Sequence, residues 1–195
     1  MPAFLCIESS TPVCSVAVVK DGESLAIRES YEGHVHAEKM TVFVQEVMSA
    51  SGLEFSALDA VVVSGGPGSY TGLRIGVSTA KGTCWAADKP LIAVPTLKAM
   101  AAGAVDLIPD ESALLCPMID ARRMEVYCAL YDRSLNEVQP VMAKIIDGQS
   151  FEQELSSKTL YFFGNGAGKC RPMIGSHSAA SFPDGFSMSA LHLAK

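Results

Sequence analysis

Residues 4–31 read F-L-C-I-E-S-S-T-P-V-C-S-V-A-V-V-K-D-G-E-S-L-A-I-R-E-S-Y. Phe4 to Glu8 is a short apolar run that ends on an acid. Ser9-Ser10-Thr11-Pro12 is a hydroxyl-rich turn, and Val13 to Val19 has the continuous apolar character of a buried strand. Lys20-Asp21-Gly22-Glu23 is a D-G hairpin turn into a third strand, Ser24 to Tyr31. The same order returns at residues 113–146. There Ala113 to Asp120 is an apolar strand tipped by an acid, Ala121-Arg122-Arg123 turns, and the strands Met124 to Tyr131 and Glu137 to Ile146 follow. Two antiparallel meanders, each opening on a strand with an acidic tip, predict two units of similar build.

The segments between complete an α/β pattern. Phe43, Val44, Val47 and Met48, with Met40 one turn earlier, mark a helix over Ala37–Ser51 that stops at Gly52. Asp59 to Ser64 is an apolar strand feeding the loop Gly65 to Gly72, and a helix then runs to about Ala87. Leu91 to Val94 is a strand, and Thr96 caps a third helix. The second unit continues with a helix over 150–156, a strand Leu160 to Phe163 and the loop Gly164-Asn165-Gly166-Ala167-Gly168. The division is expected in residues 103–110, giving lobes 1–105 and 106–195 with a cleft between the acidic tips. The tail Ser187–Lys195 reads as a two-turn capped helix, and the chain as a piece of a longer protein.

Composition narrows the function classes. The 195 residues are 49% hydrophobic and 18% charged, which suits a folded core rather than a disordered chain. Net charge is −6, and both halves carry more acids than bases. No basic lobe exists to grip nucleic acid alone. No apolar run approaches the roughly 20 residues of a membrane helix. Met1-Pro2-Ala3-Phe4 lacks a secretory n-region, and the six cysteines show no C-x-x-C, so reduced thiols in the cytoplasm are expected.

Standard active-site motifs fail. There is no G-x-S-x-G elbow, no G-x-G-x-x-G and no Walker A, since Gly168-Lys169 is followed by Cys170. His34 and His36 fit a polar helix entry better than a metal site, because the mechanistic spacing is i,i+4 on a helix and position 38 is Glu. His177 and His192 have no role assigned.

Three features remain. The loop containing Gly65, Gly66, Gly68, Ser69 and Thr71, with Arg74 beyond it, has the form of a phosphate cradle at a helix N-terminus capped by Thr71. Close packing of helix on strand is the alternative. The helix after it is rich in small residues (Gly72, Gly76, Ser78, Thr79, Ala80, Gly82, Thr83), which permits close approach of a backbone, its own or a partner's. Glu8 and Asp120, at corresponding strand tips, are where a phosphotransferase would hold a metal–nucleotide. For Asp120, an ion pair with Arg122 or Arg123 reads equally well.

Ser64 to Gly82, S-G-G-P-G-S-Y-T-G-L-R-I-G-V-S-T-A-K-G, closely resembles the signature of the bacterial TsaB (YeaZ) family. The resemblance extends to I-E-S-S-T-P-V-C-S-V-A-V at Ile7–Val18, C-P-M-I-D-A-R-R-M-E-V-Y at Cys116–Tyr127 and F-G-N-G-A at Phe163–Ala167. It implies two RNase-H-like lobes of the actin/Hsp70/sugar-kinase superfamily. It further implies a non-catalytic paralogue of TsaD, the transferase that places threonylcarbamoyl on N6 of adenosine 37 in tRNAs reading ANN codons. A TsaE-type ATPase joins that pair and TsaC supplies threonylcarbamoyl-AMP, so ATP, magnesium and tRNA are met through partners. Carried onto this chain, the TsaD-facing surface comprises Met40, Phe43, Val44 and Val47 on the first helix and Leu73, Gly76, Val77 and Ala80 on the second. The same face supports a homodimer in isolation. Glu8 stands where the family has Asp, which weakens metal–nucleotide binding, and the family's old peptidase label implies a metal site this sequence lacks. A phospho- or carbamoyltransferase acting in the chain's own cleft is the alternative function.

Overall fold

The computed structural model describes residues 2–33 and 35–195. His34, half of the histidine pair noted above, lies outside them. The first five strands are β1 (Ala3–Glu8), β2 (Cys14–Lys20), β3 (Glu23–Ser30), β4 (Ala60–Ser64) and β5 (Leu91–Val94). They form one sheet in the order β3-β2-β1-β4-β5. The second sheet comprises β6 (Leu114–Asp120), β7 (Glu125–Tyr131), β8 (Glu137–Ile145), β9 (Leu160–Phe163) and β10 (Ala180–Ser181), in the order β10-β9-β6-β7-β8. In each sheet the opening three strands pair antiparallel, and the fourth and fifth join in parallel on the other side of the first. The ribonuclease-H-like order implied by the resemblance is thus present twice.

The hairpins set this pairing. Asp21 and Gly22 take left-handed φ values of 58° and 82°, as the two central residues of a type I′ turn require. β1 and β4, parallel neighbours in mid-sheet, are apolar throughout except at their tips, because helices and tail bury both faces.

Helices α1 (His36–Ser51) and α2 (Tyr70–Ala87) cover one face of the first sheet. Leu5, Ile7, Val16, Val18, Val61 and Val63 point into that core, where Met40, Val44, Val47 and Ala80 meet them. α3 (Thr96–Ala104) follows β5. The second sheet carries α4 (Glu152–Leu155) and α5 (Ala167–Ile174), and packs Phe151, Leu155, Phe162 and Ile174 into a separate core.

The chain divides into residues 1–99 with 188–195, and residues 100–187. This places the tail with the first unit rather than the second. Residues Ala190–Ala194 form a 3-10 turn, not the expected α-helix, with Ser189 Oγ accepting from Leu191 N at 3.3 Å. Ala190 N donates to Ser15 Oγ at 2.8 Å, and the tail lies on β1, β2 and β4. Burial of Met188, Ala190 and Leu193 holds it there. Among the described residues no helix is long and apolar enough to cross a membrane.

Candidate functional site

Glu8 ends β1 with its side chain wholly buried. Its Oε1 accepts from Ser10 N at 2.6 Å and from Ser10 Oγ at 2.5 Å, and its Oε2 accepts from Ser64 Oγ at the end of β4. Burial raises the carboxyl's pKa, and the hydroxyls of Ser10 and Ser64 with the amides of Ser10 and Thr11 offset part of that rise. The acid expected at an open strand tip is a sealed internal staple.

The glycine loop closes on the same place. Gly65 N donates to Val94 O at 2.8 Å, Gly66 N to Thr96 Oγ1 at 3.1 Å and Ser69 N to Ser10 O at 2.7 Å. Those amides are therefore unavailable to a phosphate. Gly66 alone in the loop needs glycine for its dihedral, at φ 100°. Gly68, Gly72 and Gly76 are glycines for space: a Cβ on Gly68 would fall 2.6 Å from Ser10 O, and a Cβ on Gly72 or Gly76 would strike Ser9. Close packing, the alternative reading of this loop, accounts for these three glycines. The cap of α2 is Ser69, whose Oγ accepts from Gly72 N at 3.2 Å, and not Thr71. Arg74 lies over the Tyr70 ring at 5.3 Å, on the exposed surface. The first unit's tip is a poor fit for a metal-bound nucleotide: the Glu8 carboxyl is spent on two hydroxyls and the Ser10 amide, and the amides of Gly65, Gly66 and Ser69 on two carbonyls and the Thr96 hydroxyl.

Asp120, in the second unit, is half exposed. Lys169 Nζ lies 2.5 Å from its Oδ1 and Arg122 N donates to the same oxygen at 2.8 Å. The Lys169 hydrogen bond is the main reason its carboxyl stays below the usual range. The ion pair left open by the sequence is real, but its cation is Lys169, 49 positions away, rather than either neighbouring arginine. Among the described residues no three histidine, cysteine or acidic side chains assemble as metal ligands. All six cysteines are free thiols, and only Cys84 is not buried.

The proposed interface residues divide. Met40, Val44, Val47 and Ala80 belong to the first unit's own core, and Gly76 faces Ser9. Phe43 and Val77 are half-buried against that core, and Leu73 is half-buried. The correction has a simple cause: the apolar stripe of an amphipathic helix marks the face turned to its own sheet. The outward face is different. On α1 it offers Thr41 and Val42, the latter 46% exposed. On α2 it offers Tyr70 and Trp85, 75% and 91% exposed, with Arg74, Ser78, Lys81 and Gly82 between them. Thr41, Phe55, Ser78, Thr79, Gly82 and Thr83 line a groove of ≈ 440 Å³ here, walled mainly by apolar atoms. Sequence reading missed Trp85, although a lone tryptophan on a helix of small residues was the available signal.

Residues 30–180 match the family model described as "TsaD: tRNA N6-adenosine threonylcarbamoyltransferase". The chain is 37% identical to a tRNA threonylcarbamoyladenosine biosynthesis protein TsaB of Haemophilus influenzae, over 64% of this chain and 51% of that protein. It is 37% identical to the Escherichia coli TsaB over 69% of this chain and 57% of that protein. The chain thus spans little more than half the length of these relatives. The solved structure of YeaZ from Pseudomonas aeruginosa shares the fold, with a TM-score of 0.84 at 24% identity, covering 100% of this chain and 89% of that one. Motif, repeated sheet order and matched residues agree: the chain belongs to the TsaD-related family of tRNA threonylcarbamoyladenosine biosynthesis proteins, in its TsaB (YeaZ) branch.

Proposed function

We propose that this chain is a non-catalytic partner in the N6-threonylcarbamoylation of adenosine 37 in tRNAs reading ANN codons. In this reading it pairs with a TsaD-type catalytic relative through the outward face of α1 and α2. The observation that carries it is the exposed stripe Tyr70, Arg74, Ser78, Lys81 and Trp85, beside a groove whose wall includes Gly82. A 91%-exposed tryptophan on the helix that also walls an apolar groove has the makeup of an interface centre. The sealed Glu8 and the Lys169-tied Asp120 support a role without chemistry of its own. ATP and magnesium then act through the partners, a TsaE-type ATPase among them, and tRNA is met within the assembly. In isolation the same face would pair two copies, which a concentration series in light scattering would reveal as a dimer.

The test is reconstitution of the modification from TsaC, TsaD, TsaE, ATP, threonine and bicarbonate, with and without this chain. Product should form only with it, and Trp85→Ala should cost at least tenfold in product rate while leaving the fold intact. Product that is indifferent to the chain refutes the proposal. The alternative, a transferase acting at its own strand tips, requires instead that Glu8→Ala or Asp120→Ala abolish activity while Trp85→Ala leaves it unchanged.

A further inference from the structure

The turn joining β6 to β7 holds two arginines in a backbone conformation that arginine rarely adopts. Arg122 and Arg123 have φ of 71° and 47°, consecutive left-handed residues where glycine, asparagine or aspartate would be less strained. Strain of this kind persists only where the surroundings over-determine it, and here they do. Ala121 N donates to Glu125 O, and Glu125 N to Arg122 O, both at 3.1 Å. Arg122 N donates to Asp120 Oδ1 at 2.8 Å. Lys169 reaches in from α5 and spends all three ammonium protons, on Asp120 Oδ1 at 2.5 Å and on the carbonyls of Arg123 and Glu125 at 2.7 Å. Gly166 braces the strand tip: a Cβ there would fall 2.9 Å from the Ile119 carbonyl carbon.

Lys169 is consumed in holding the turn, and Asp120 is neutralised by it. Arg122 and Arg123 project from this frame into solvent. Among the described residues neither guanidinium makes an ion pair or a hydrogen bond. The result is an adjacent pair of exposed planar cations on a braced backbone at the carboxyl end of β6, beside the loop that leaves the parallel strand β9, with Arg122 also helping to hold the Asp120 carboxyl ionised. That end of an α/β sheet is where ligands are presented, and guanidinium forks match phosphate oxygens bidentately.

We propose that Arg122 and Arg123 contact the phosphodiester backbone of RNA. The inference rests on the functional reading above, which gives the assembly a polyanionic substrate. With a net charge of −6 the chain cannot bind RNA by bulk electrostatics. A fixed two-arginine contact of this kind positions a backbone without reading sequence.

The experiment measures binding of an unmodified in vitro transcribed tRNA across a salt series, about 50 to 200 mM, to the chain mixed with its catalytic relative and, in parallel, to the chain alone. Sedimentation first establishes whether the mixture forms an assembly. The proposal predicts that Arg122→Ala with Arg123→Ala weakens tRNA binding about tenfold or more. It also predicts a slope of log K against log salt that is shallower by about 1.5, since each lost phosphate contact removes roughly 0.7–0.9. Arg122→Lys with Arg123→Lys should keep most of the slope, which a purely structural turn would not require. An unchanged slope overturns the proposal. So does an Ala pair that weakens the assembly but leaves tRNA affinity intact, which would make the turn a protein contact. So, too, does an Ala pair that weakens ATP binding with the tRNA slope unmoved. If no assembly forms, the functional reading fails separately, and the chain-alone comparison decides: RNA binding that is absent or independent of the arginines overturns the inference.

Discussion

Glu8 is an acid that the fold has turned inward, and its pH behaviour follows from that. Because burial raises its pKa in the folded chain, the native state holds its proton more tightly than the unfolded state. The associated stability is complete below the ordinary carboxylate range and is lost as pH rises through the folded value. Glu8→Gln should therefore flatten the stability profile from about pH 4.5 upward, measured as urea midpoint against pH. An unaltered profile would mean that Glu8 is not the group titrating. Two glycines on one helix should respond with opposite signs. Gly82 has nothing within 4 Å of an added Cβ, so Gly82→Ala should stabilise by about 0.5–1 kcal/mol. Gly72 lies on the Ser9 carbonyl, so Gly72→Ala should destabilise by about 1–3 kcal/mol. Chemical denaturation of the two variants checks both. The sequence displayed the acid and its hydroxyl neighbours but not their closure, because Ser64 lies 56 positions from Glu8. Pairing across that separation is set by sheet order, which no local window contains.

At the scale of elements, strands and helices were legible because their periods are local, and faces were not. The spacing of Met40, Val44 and Val47 located α1 correctly and indicated which side is apolar. That side belongs to the sheet, so the surface left for a partner is the residue set periodicity passes over: Thr41, Val42, Ser78, Gly82 and Trp85. The tail shows the same limit. A hydroxyl before an apolar run announced a helix, but burial against β1, β2 and β4 selected a 3-10 turn. Four cysteines lie in buried strands, and Cys84 and Cys170 lie on helices α2 and α5. Burial pushes the Cys6 thiol up to about 12 and Cys14 to about 11, and Cys116 and Cys170 are raised for the same reason. A maleimide reagent at neutral pH should modify one thiol, Cys84, in the native chain and all six in denaturant, read by intact mass. Rapid native modification of two or more thiols would show that the buried elements carrying them open more readily than their burial allows.

For the whole molecule, the duplicated meander of residues 4–31 and 113–146 points to two units of similar build, and the sheet order the family resemblance implies is found in both. What the duplication obscured is how differently the two acidic tips are finished. One is sealed by hydroxyls. The other is tied to a lysine that fixes an arginine turn. If neither tip performs chemistry, function rests on surfaces. The most direct test compares two substitutions in the reconstituted tRNA modification. Gly82→Arg fills the outward groove from a position open to solvent, whereas Glu8→Gln alters the sealed tip at constant shape. The account predicts that Gly82→Arg abolishes product and association with the catalytic relative, while Glu8→Gln leaves both within about twofold. Product lost with Glu8→Gln and retained with Gly82→Arg would contradict it.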